Sequence, residues 1–126
     1  MARFLSAEWI TALDQALAGG ARPALPEPLV IQHVVTDGPD GEVVYHLRLD
    51  AAGSGAVPGR ADDPTVTFTQ TYATAAAISS GTASAQAAFM AGDLRLGGRV
   101  DALLANHAAI AELDDVLAPL RASTEF

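Results

Sequence analysis

The chain has 126 residues, the usual length of one domain, so we expect residues 1–126 to form a single domain around one hydrophobic core. It has no cysteine, which excludes a disulfide framework, a thiolate metal site and a cysteine nucleophile. All seven basic residues are arginines scattered along the chain, and the formal net charge of −8 argues against nucleic acid and anionic membrane surfaces as partners.

The first predicted element is an amphipathic helix that begins after Ser6 and runs to about Ala18. Ser6 is a favourable N-cap residue. Apolar residues then recur at helical spacing and form one stripe, composed of Trp9, Ile10, Leu13, Ala16 and Leu17. Two glycines at positions 19 and 20 are expected to end this helix, and the prolines at positions 23, 26 and 28 keep the next stretch extended.

A β-hairpin follows, with one strand from Leu29 to Thr36 and a second from Glu42 to Asp50. The five residues between them are turn formers. Apolar residues occupy mainly the odd positions of both strands, so the pattern predicts that odd residues pair with odd residues. His33 then shares a face with Tyr45, and His46 points to the opposite face. We expect residues 51–63, rich in glycine, proline and aspartate, to form a loop.

The remaining elements alternate between strand and helix periodicity. Residues 64–70 alternate as a strand, with Val66 and Phe68 facing inward. Two short helices are predicted at 71–80 and 84–91, each with a hydroxyl cap and a terminal glycine, before a strand at 94–96 and a last helix at about 100–120. Strands of this kind gather in one antiparallel-rich sheet with helices on one face, which is an α+β architecture.

No catalytic constellation emerges from the sequence, and we expect neither catalytic residues nor a metal site. His33 is interpreted as a histidine packed within a strand, and His46 and His107 as polar surface residues. The paired acids at 62–63 and 114–115 do not converge as a general acid and base must. The chain has no nucleophile elbow, and without lysine it cannot form a Walker motif.

Two segments resemble the sterol carrier protein type 2 domain family. The first is the strand Asp63-Pro64-Thr65-Val66-Thr67-Phe68-Thr69 with the helix after it that ends at Gly81. The second, more specific segment is Ala85-Gln86-Ala87-Ala88-Phe89-Met90-Ala91-Gly92-Asp93-Leu94-Arg95-Leu96-Gly97-Gly98, which is similar to the family pattern Gln-x-Ala-Phe-(Phe/Met)-x-Gly-x-Leu-x-(Leu/Ile)-x-Gly. The resemblance covers roughly residues 42 to 120.

This resemblance implies a five-stranded, mostly antiparallel sheet covered on one face by helices, with an apolar tunnel between them. The implied function is non-catalytic binding, and transfer, of a sterol, fatty acid, acyl-CoA or phospholipid, without a cofactor. Matching motif positions imply a tunnel wall formed by Phe68, Gln86, Phe89, Met90 and Leu96, with weaker candidates Leu103, Leu104 and Ile110. Ordinary core packing is the alternative for each of these residues.

Two other functions remain open at this point, namely an accessory protein-interaction or dimerisation domain with the same fold, and a small enzyme acting on a hydrophobic substrate. Relatives that carry lipids are often rich in lysine, whereas this chain has none and is acidic, so we expect at most transient membrane contact. The C-terminal residues do not match the Ser-Lys-Leu peroxisomal signal, which favours the cytoplasm. The composition is typical of a bacterial protein, and a homodimer is left open.

Overall fold

A five-stranded sheet organises the part of the chain that the computed structural model describes, namely residues 2–19, 29–39, 41–50, 53–105, 120, 122, 124 and 125. In chain order the elements are β1 (Ala2–Arg3), α1 (Ala7–Gly19), β2 (Leu29–Gly38), β3 (Gly41–Leu49), β4 (Gly55–Pro58), β5 (Val66–Thr71), α2 (Tyr72–Ser79), α3 (Ala85–Ala91), β6 (Leu94–Gly98), α4 (Val100–Ala105) and β7 (Thr124–Glu125).

The strand order in this sheet is β4-β3-β2-β5-β6. Strands β2 and β5 are parallel neighbours, and the other adjacent pairs run antiparallel. The predicted α+β class with a five-stranded, mostly antiparallel sheet is therefore confirmed.

The hairpin formed by β2 and β3 has the register that the sequence predicts. Leu29 pairs with Leu49, Ile31 with Leu47, and His33 with Tyr45, so odd positions face odd positions. The tight reversal between the strands uses Asp37 and Gly41, whose φ angles of 58° and 97° lie in the left-handed region. Because side chains alternate along a strand, this register fixes which face of the sheet each residue of the hairpin serves.

The odd-numbered side chains of the hairpin point to the core, and we call this side of the sheet the inner face. Its buried apolar members, on all five strands, are Leu29, Ile31, Val35, Tyr45, Leu47, Leu49, Ala56, Val66 and Leu94. Helix α1 adds Trp9, Ile10, Leu13 and Leu17 to the same core cluster, and α2 adds Ala75. Full burial of one such leucine or isoleucine contributes roughly 1.5–3 kcal/mol, so this cluster is a principal source of stability.

Helix α1 begins as predicted. The backbone N–H of Trp9 donates to the Ser6 Oγ atom at 3.1 Å, which is the contact of an N-cap residue. The helix ends at Gly19, one residue beyond the predicted end. The glycine and prolines expected to follow it, at positions 20–28, lie outside the described residues.

The predicted loop at 51–63 is wrong in part, because Gly55–Pro58 form strand β4 at the edge of the sheet. The segment has four residues, of which two are glycine and proline, so it carries no alternating pattern of its own. Its support comes from distant residues. Strand β3 pairs with one side, and Asp14 Oδ1 on α1 accepts a hydrogen bond from the Ala56 N–H at 2.9 Å.

Strands β1 and β7 were also not predicted. They form a separate parallel pair of two residues each, in which Ala2 pairs with Thr124 and Arg3 with Glu125. The indole N–H of Trp9 donates to the Thr124 Oγ1 atom at 3.1 Å, a buried contact that ties the C-terminal segment to α1.

The short helices after β5 agree with the sequence. Thr71 Oγ1 accepts from the Thr74 N–H, Ser84 Oγ accepts from the Ala87 N–H, and Gly92 ends α3 with φ at 83°. Helix α4 covers the start of the predicted last helix, whose continuation from 106 to 119 lies outside the described residues. None of the helices within the described ranges is long and apolar enough to cross a bilayer.

Candidate functional site

A row of aromatic and apolar side chains crosses the inner face of the sheet. Register pairing aligns Tyr45 on β3, His33 on β2, Phe68 on β5 and Leu96 on β6. The ring centroids of His33 and Tyr45 are 4.8 Å apart and the two rings are stacked, with an interplanar angle of 5°. Phe68 meets His33 edge-on, with centroids 5.1 Å apart and an angle of 77°. We call these four residues the central row.

The central row is covered unevenly. Tyr45 is buried at one end, where the Trp9 ring of α1 approaches it with centroids 5.8 Å apart. Phe68 and Leu96 at the other end are only partly buried. Within the central row, the β3 end is therefore covered more completely than the β5–β6 end, whereas Val66 and Leu94 in the rows on either side are buried. The β5–β6 side is the part of the inner face where an apolar molecule could add the most contact.

His33 is the polar member of the central row. Both of its ring nitrogens are closed to water and make no hydrogen bond with the residues that the structure describes. Burial lowers the pKa of His33 from 6.5 to about 4, because the charged imidazolium would lose its hydration. Burial likewise raises the pKa of the Tyr45 phenol. Both rings are therefore neutral at pH 7.

Gln70 is a second polar group on the same face. It lies two residues after Phe68 on β5 and pairs with Val35, so its side chain points to the inner face. Gln70 is buried, and its Oε1 atom has no hydrogen-bond partner among the described residues. The inner face thus holds two buried polar groups, His33 and Gln70, on neighbouring strands.

The predicted wall residues fall into three groups. Phe68 and Leu96 lie together on the inner face as register partners. Phe89 and Met90 lie on α3, which contacts β6, but they are 50% and 79% exposed. The side chains of Gln86 on α3 and of Leu103 and Leu104 on α4, together with the whole of Ile110, lie outside the described residues. The assignment of these residues to a ligand-binding wall stays a prediction.

Gln70 was not among the residues predicted to have a function, and His33 was predicted only to be packed within its strand. One signal could have identified both as special. Each occupies a position that the strand alternation assigns to the core. His33 lies between Ile31 and Val35 in the alternating pattern, and Gln70 lies two residues after Phe68. A polar residue at such a position is informative because polar groups are costly to bury without partners.

Two other grooves of the described region are lined mainly by polar residues. A groove of about 360 Å³ is lined by residues near the ends of β2 and β5, after α3 and on β6, including Thr36, Gln70, Asp93 and Arg95. A second groove of about 260 Å³ lies against the opposite side of the hairpin, near His46, Arg48 and Arg60. The His46 Nδ1 atom is 3.0 Å from the Gly59 carbonyl oxygen, and His107 lies outside the described residues.

The described side chains offer no ready site for metal or acid–base chemistry. No three of the His, Asp and Glu residues within the described ranges are grouped as ligands of a metal ion. The only ion pair found there joins Arg60 to Glu42 at 3.4 Å, and both side chains are exposed. The inner face is suited to contact the apolar surface of a ligand and to hydrogen-bond a polar group that the ligand buries there.

Comparisons with known proteins agree with this fold. The model of the SCP-2 sterol transfer family matches residues 27–110. A conserved protein from Thermus thermophilus, described as a candidate sterol carrier protein, superposes with a TM-score of 0.70 at 22% identity, and the match covers 95% of this chain and 91% of that one. A crystal structure of sterol carrier protein 2 gives a TM-score of 0.69 at 22% identity, over 94% of this chain and 98% of that one.

A third solved structure is that of palmitated sterol carrier protein 2 like 2 from Aedes aegypti. It matches with a TM-score of 0.60 at 27% identity, over 84% of this chain and 93% of that one. None of the curated proteins matches the chain. The family model covers all five strands of the main sheet and helices α2, α3 and α4, but not α1, so the match includes the whole central row.

Proposed function

Because this chain belongs to the SCP-2 sterol transfer family, we propose that it binds a hydrophobic ligand in an apolar tunnel and does not change the ligand chemically. The ligand classes that we consider are sterols, fatty acids, acyl-CoAs and phospholipids. The proposed site lies on the β5–β6 side of the inner face, between the sheet and the helices.

The observation that carries this proposal is the partial exposure of Phe68 and Leu96 at the end of the central row. Large apolar side chains that face the interior of a domain are normally buried, and their exposure marks a surface that another molecule can cover. Phe89 and Met90 are further exposed apolar residues, and they lie on helix α3, which contacts the edge strand β6. We therefore expect these two residues to contact a ligand as it enters or leaves.

Apolar contact alone can supply the affinity. A ligand that buries on the order of 400 Å² of apolar surface gains about 10 kcal/mol, at roughly 25 cal/mol per Å². Part of this gain offsets the freedom that the ligand loses on binding. A dissociation constant in the micromolar range or tighter is the expected result.

The proposal is tested by titrating the purified protein with fluorescent analogues of a fatty acid, a sterol and a phospholipid. We expect saturable binding of at least one analogue, and native mass spectrometry should show a bound lipid released with its mass unchanged. A protein that is folded by circular dichroism and binds no member of the panel would contradict the proposal. A released compound of altered mass would contradict the non-catalytic part of it.

A further inference from the structure

Two buried polar groups on the inner face have no hydrogen-bond partner among the described residues, and this is unusual for a folded domain. Most buried polar side chains are hydrogen-bonded, since an unpaired group loses its interaction with water and gains nothing in return. Yet both ring nitrogens of His33 and the Oε1 atom of Gln70 lack a partner among the described residues. Proteins keep unpaired buried polar groups mainly at functional sites, where the group contributes to the function.

The positions of the two residues suggest a shared task. His33 pairs with Phe68 on β5, and Gln70 is two residues further along that strand, so both side chains are on the inner face in adjacent rows. Adjacent rows on one face are about 6.6 Å apart along the strand. The spacing of neighbouring strands adds about 4.8 Å across the sheet, so the two Cα atoms are roughly 8 Å apart, a distance that the two side chains and one bridging oxygen atom can close.

The unpaired atoms of the two residues offer one donor and two acceptors. A neutral imidazole carries one N–H donor and one acceptor nitrogen, and the Gln70 Oε1 atom is a further acceptor. A hydroxyl group matches this set because its oxygen accepts from the His33 N–H and its hydrogen can be donated to Gln70 Oε1. A carboxylate matches these unpaired atoms less well, because it accepts from the His33 N–H but has no hydrogen to donate to Gln70 Oε1.

We propose that His33 and Gln70 together bind the hydroxyl group of an uncharged amphipathic ligand, such as a sterol or a long-chain alcohol, in preference to a fatty-acid anion. This inference rests on the proposed function, since it requires a ligand on the inner face. The hydrocarbon part of the ligand lies over the partly exposed Phe68 and Leu96. Phe68 meets the imidazole edge-on, and we expect it to turn aside when the hydroxyl reaches His33.

Two variants isolate the hydrogen bonds from the apolar contacts. His33→Phe keeps an aromatic ring for stacking on Tyr45 and contacting Phe68, but it removes both nitrogens. Gln70→Met keeps the length of the side chain and removes the acceptor. Each replaces an unpaired polar group by an apolar one, so both variants should fold at least as stably as the wild type. His46→Phe is the matched control, because His46 points to the opposite face.

The measurement is the dissociation constant of 1-hexadecanol, of its methyl ether and of palmitate at pH 8, by displacement of a fluorescent lipid. The fatty acid is ionised at this pH, since carboxylic acids titrate near about pH 4. We expect the wild type to bind the alcohol at least about tenfold more tightly than palmitate, and the methyl ether, which cannot donate, with intermediate affinity. His33→Phe and Gln70→Met should each weaken alcohol binding by about three- to tenfold and leave palmitate binding unchanged.

The possible outcomes separate this inference from the proposed function. If no compound displaces the probe and the probe itself does not bind, the proposed function fails. If all three compounds bind, but the ratio of alcohol to palmitate affinity is the same in the wild type and both variants, only the role of His33 and Gln70 is refuted. Tighter binding of palmitate than of the alcohol would also refute it, because it would indicate an ion pair with a charged imidazolium. An equal loss of alcohol affinity in the His46→Phe control would also refute the role of His33 and Gln70.

Discussion

The imidazole of His33 couples the stability of the fold to pH. Its folded pKa of about 4 lies below the ordinary value of 6.5, so above pH 6.5 the ring is neutral in both the folded and the unfolded chain. Between pH 6.5 and 4 the unfolded chain binds a proton at His33 and the folded chain does not. The free energy of unfolding therefore falls as the pH falls. The total loss is about 3 kcal/mol, from the shift of the pKa at about 1.4 kcal/mol per pH unit.

We expect His33→Phe to remove this part of the pH dependence. The described ring neighbours of His33 are Tyr45 and Phe68, neither of which offers a charge to stabilise an imidazolium. Urea unfolding at several pH values from 7 to 4 gives the free energy of unfolding of the wild type and of the variant. The difference between the two free energies isolates His33, because the carboxylates titrate in both proteins. Parallel curves for the two proteins would mean that His33 is protonated in the folded state as easily as in water.

Met90 is a candidate ligand contact whose substitution leaves the fold intact. Its side chain is 79% exposed, so Met90→Asp should change the free energy of unfolding by less than about 0.5 kcal/mol. A carboxylate at this position would nevertheless place a charge in the apolar path of the ligand, and we expect the affinity for a fluorescent lipid to fall at least about tenfold.

Val57→Asp is the matched control for that experiment. Val57 is also a large apolar residue at the surface, 43% exposed, but it lies on the edge strand β4 and pairs with His46 on the side away from the inner face. Its substitution should leave lipid affinity unchanged. Equal effects of the two substitutions would show that added negative charge, rather than the position of Met90, weakens binding.

Some residues of the candidate site could be predicted from a local sequence pattern, and others depend on which strands pair in the fold. Phe68 and Leu96 were identified from the resemblance, and strand alternation explains why they share a face. The partnership of His33 with Gln70 depends on the parallel pairing of β2 with β5, strands separated by more than 25 residues. Alternation within a strand fixes its faces, but it does not say which strand lies beside it.

A carboxylate of helix α1 supports strand β4 on the side away from β3. Asp14 Oδ1 accepts from the Ala56 N–H, so it satisfies a backbone donor that a sheet edge would otherwise expose. We expect Asp14→Ala to lower the free energy of unfolding by about 1–2 kcal/mol, because it removes a partly buried, charge-assisted hydrogen bond. Hydrogen exchange at the Ala56 amide should accelerate more than exchange in β2.

Two further substitutions check this account of β4. Asp14→Asn keeps an acceptor oxygen and should recover at least half of the lost stability. Gly55→Ala should be destabilising, since an added Cβ atom would lie 2.7 Å from Asp14 Oδ1. An Asp14→Ala variant as stable as the wild type, with unchanged exchange at Ala56, would show that pairing with β3 suffices to hold the strand.

The elements that the sequence predicted correctly are those whose pattern is local. Helix α1 has its own cap and apolar stripe, and the hairpin has its own alternation and turn. Strands β4, β1 and β7 have four, two and two residues, too few to show a period. They form because partners from other parts of the chain supply their hydrogen bonds, which a local pattern cannot reveal.

The charge of the whole molecule should govern how it meets membranes. With a formal net charge of −8, we expect slower transfer of a bound fluorescent lipid to vesicles of phosphatidylcholine and phosphatidylserine than to phosphatidylcholine alone. Added salt should reduce the difference, because at about 1 M the screening length falls to roughly 3 Å. Faster transfer to the anionic vesicles would indicate that a local arginine patch outweighs the net charge.

The chain of rings that begins at Trp9 gives this protein a built-in spectroscopic reporter. Trp9 is the single tryptophan of the sequence, and its ring approaches Tyr45, which in turn stacks on His33 of the central row. All tryptophan emission therefore comes from one buried indole, two ring contacts away from the proposed position of the ligand's polar group. A ligand that turns Phe68 and engages His33 should shift or quench this emission without any label, and His33→Phe should suppress that change while binding persists.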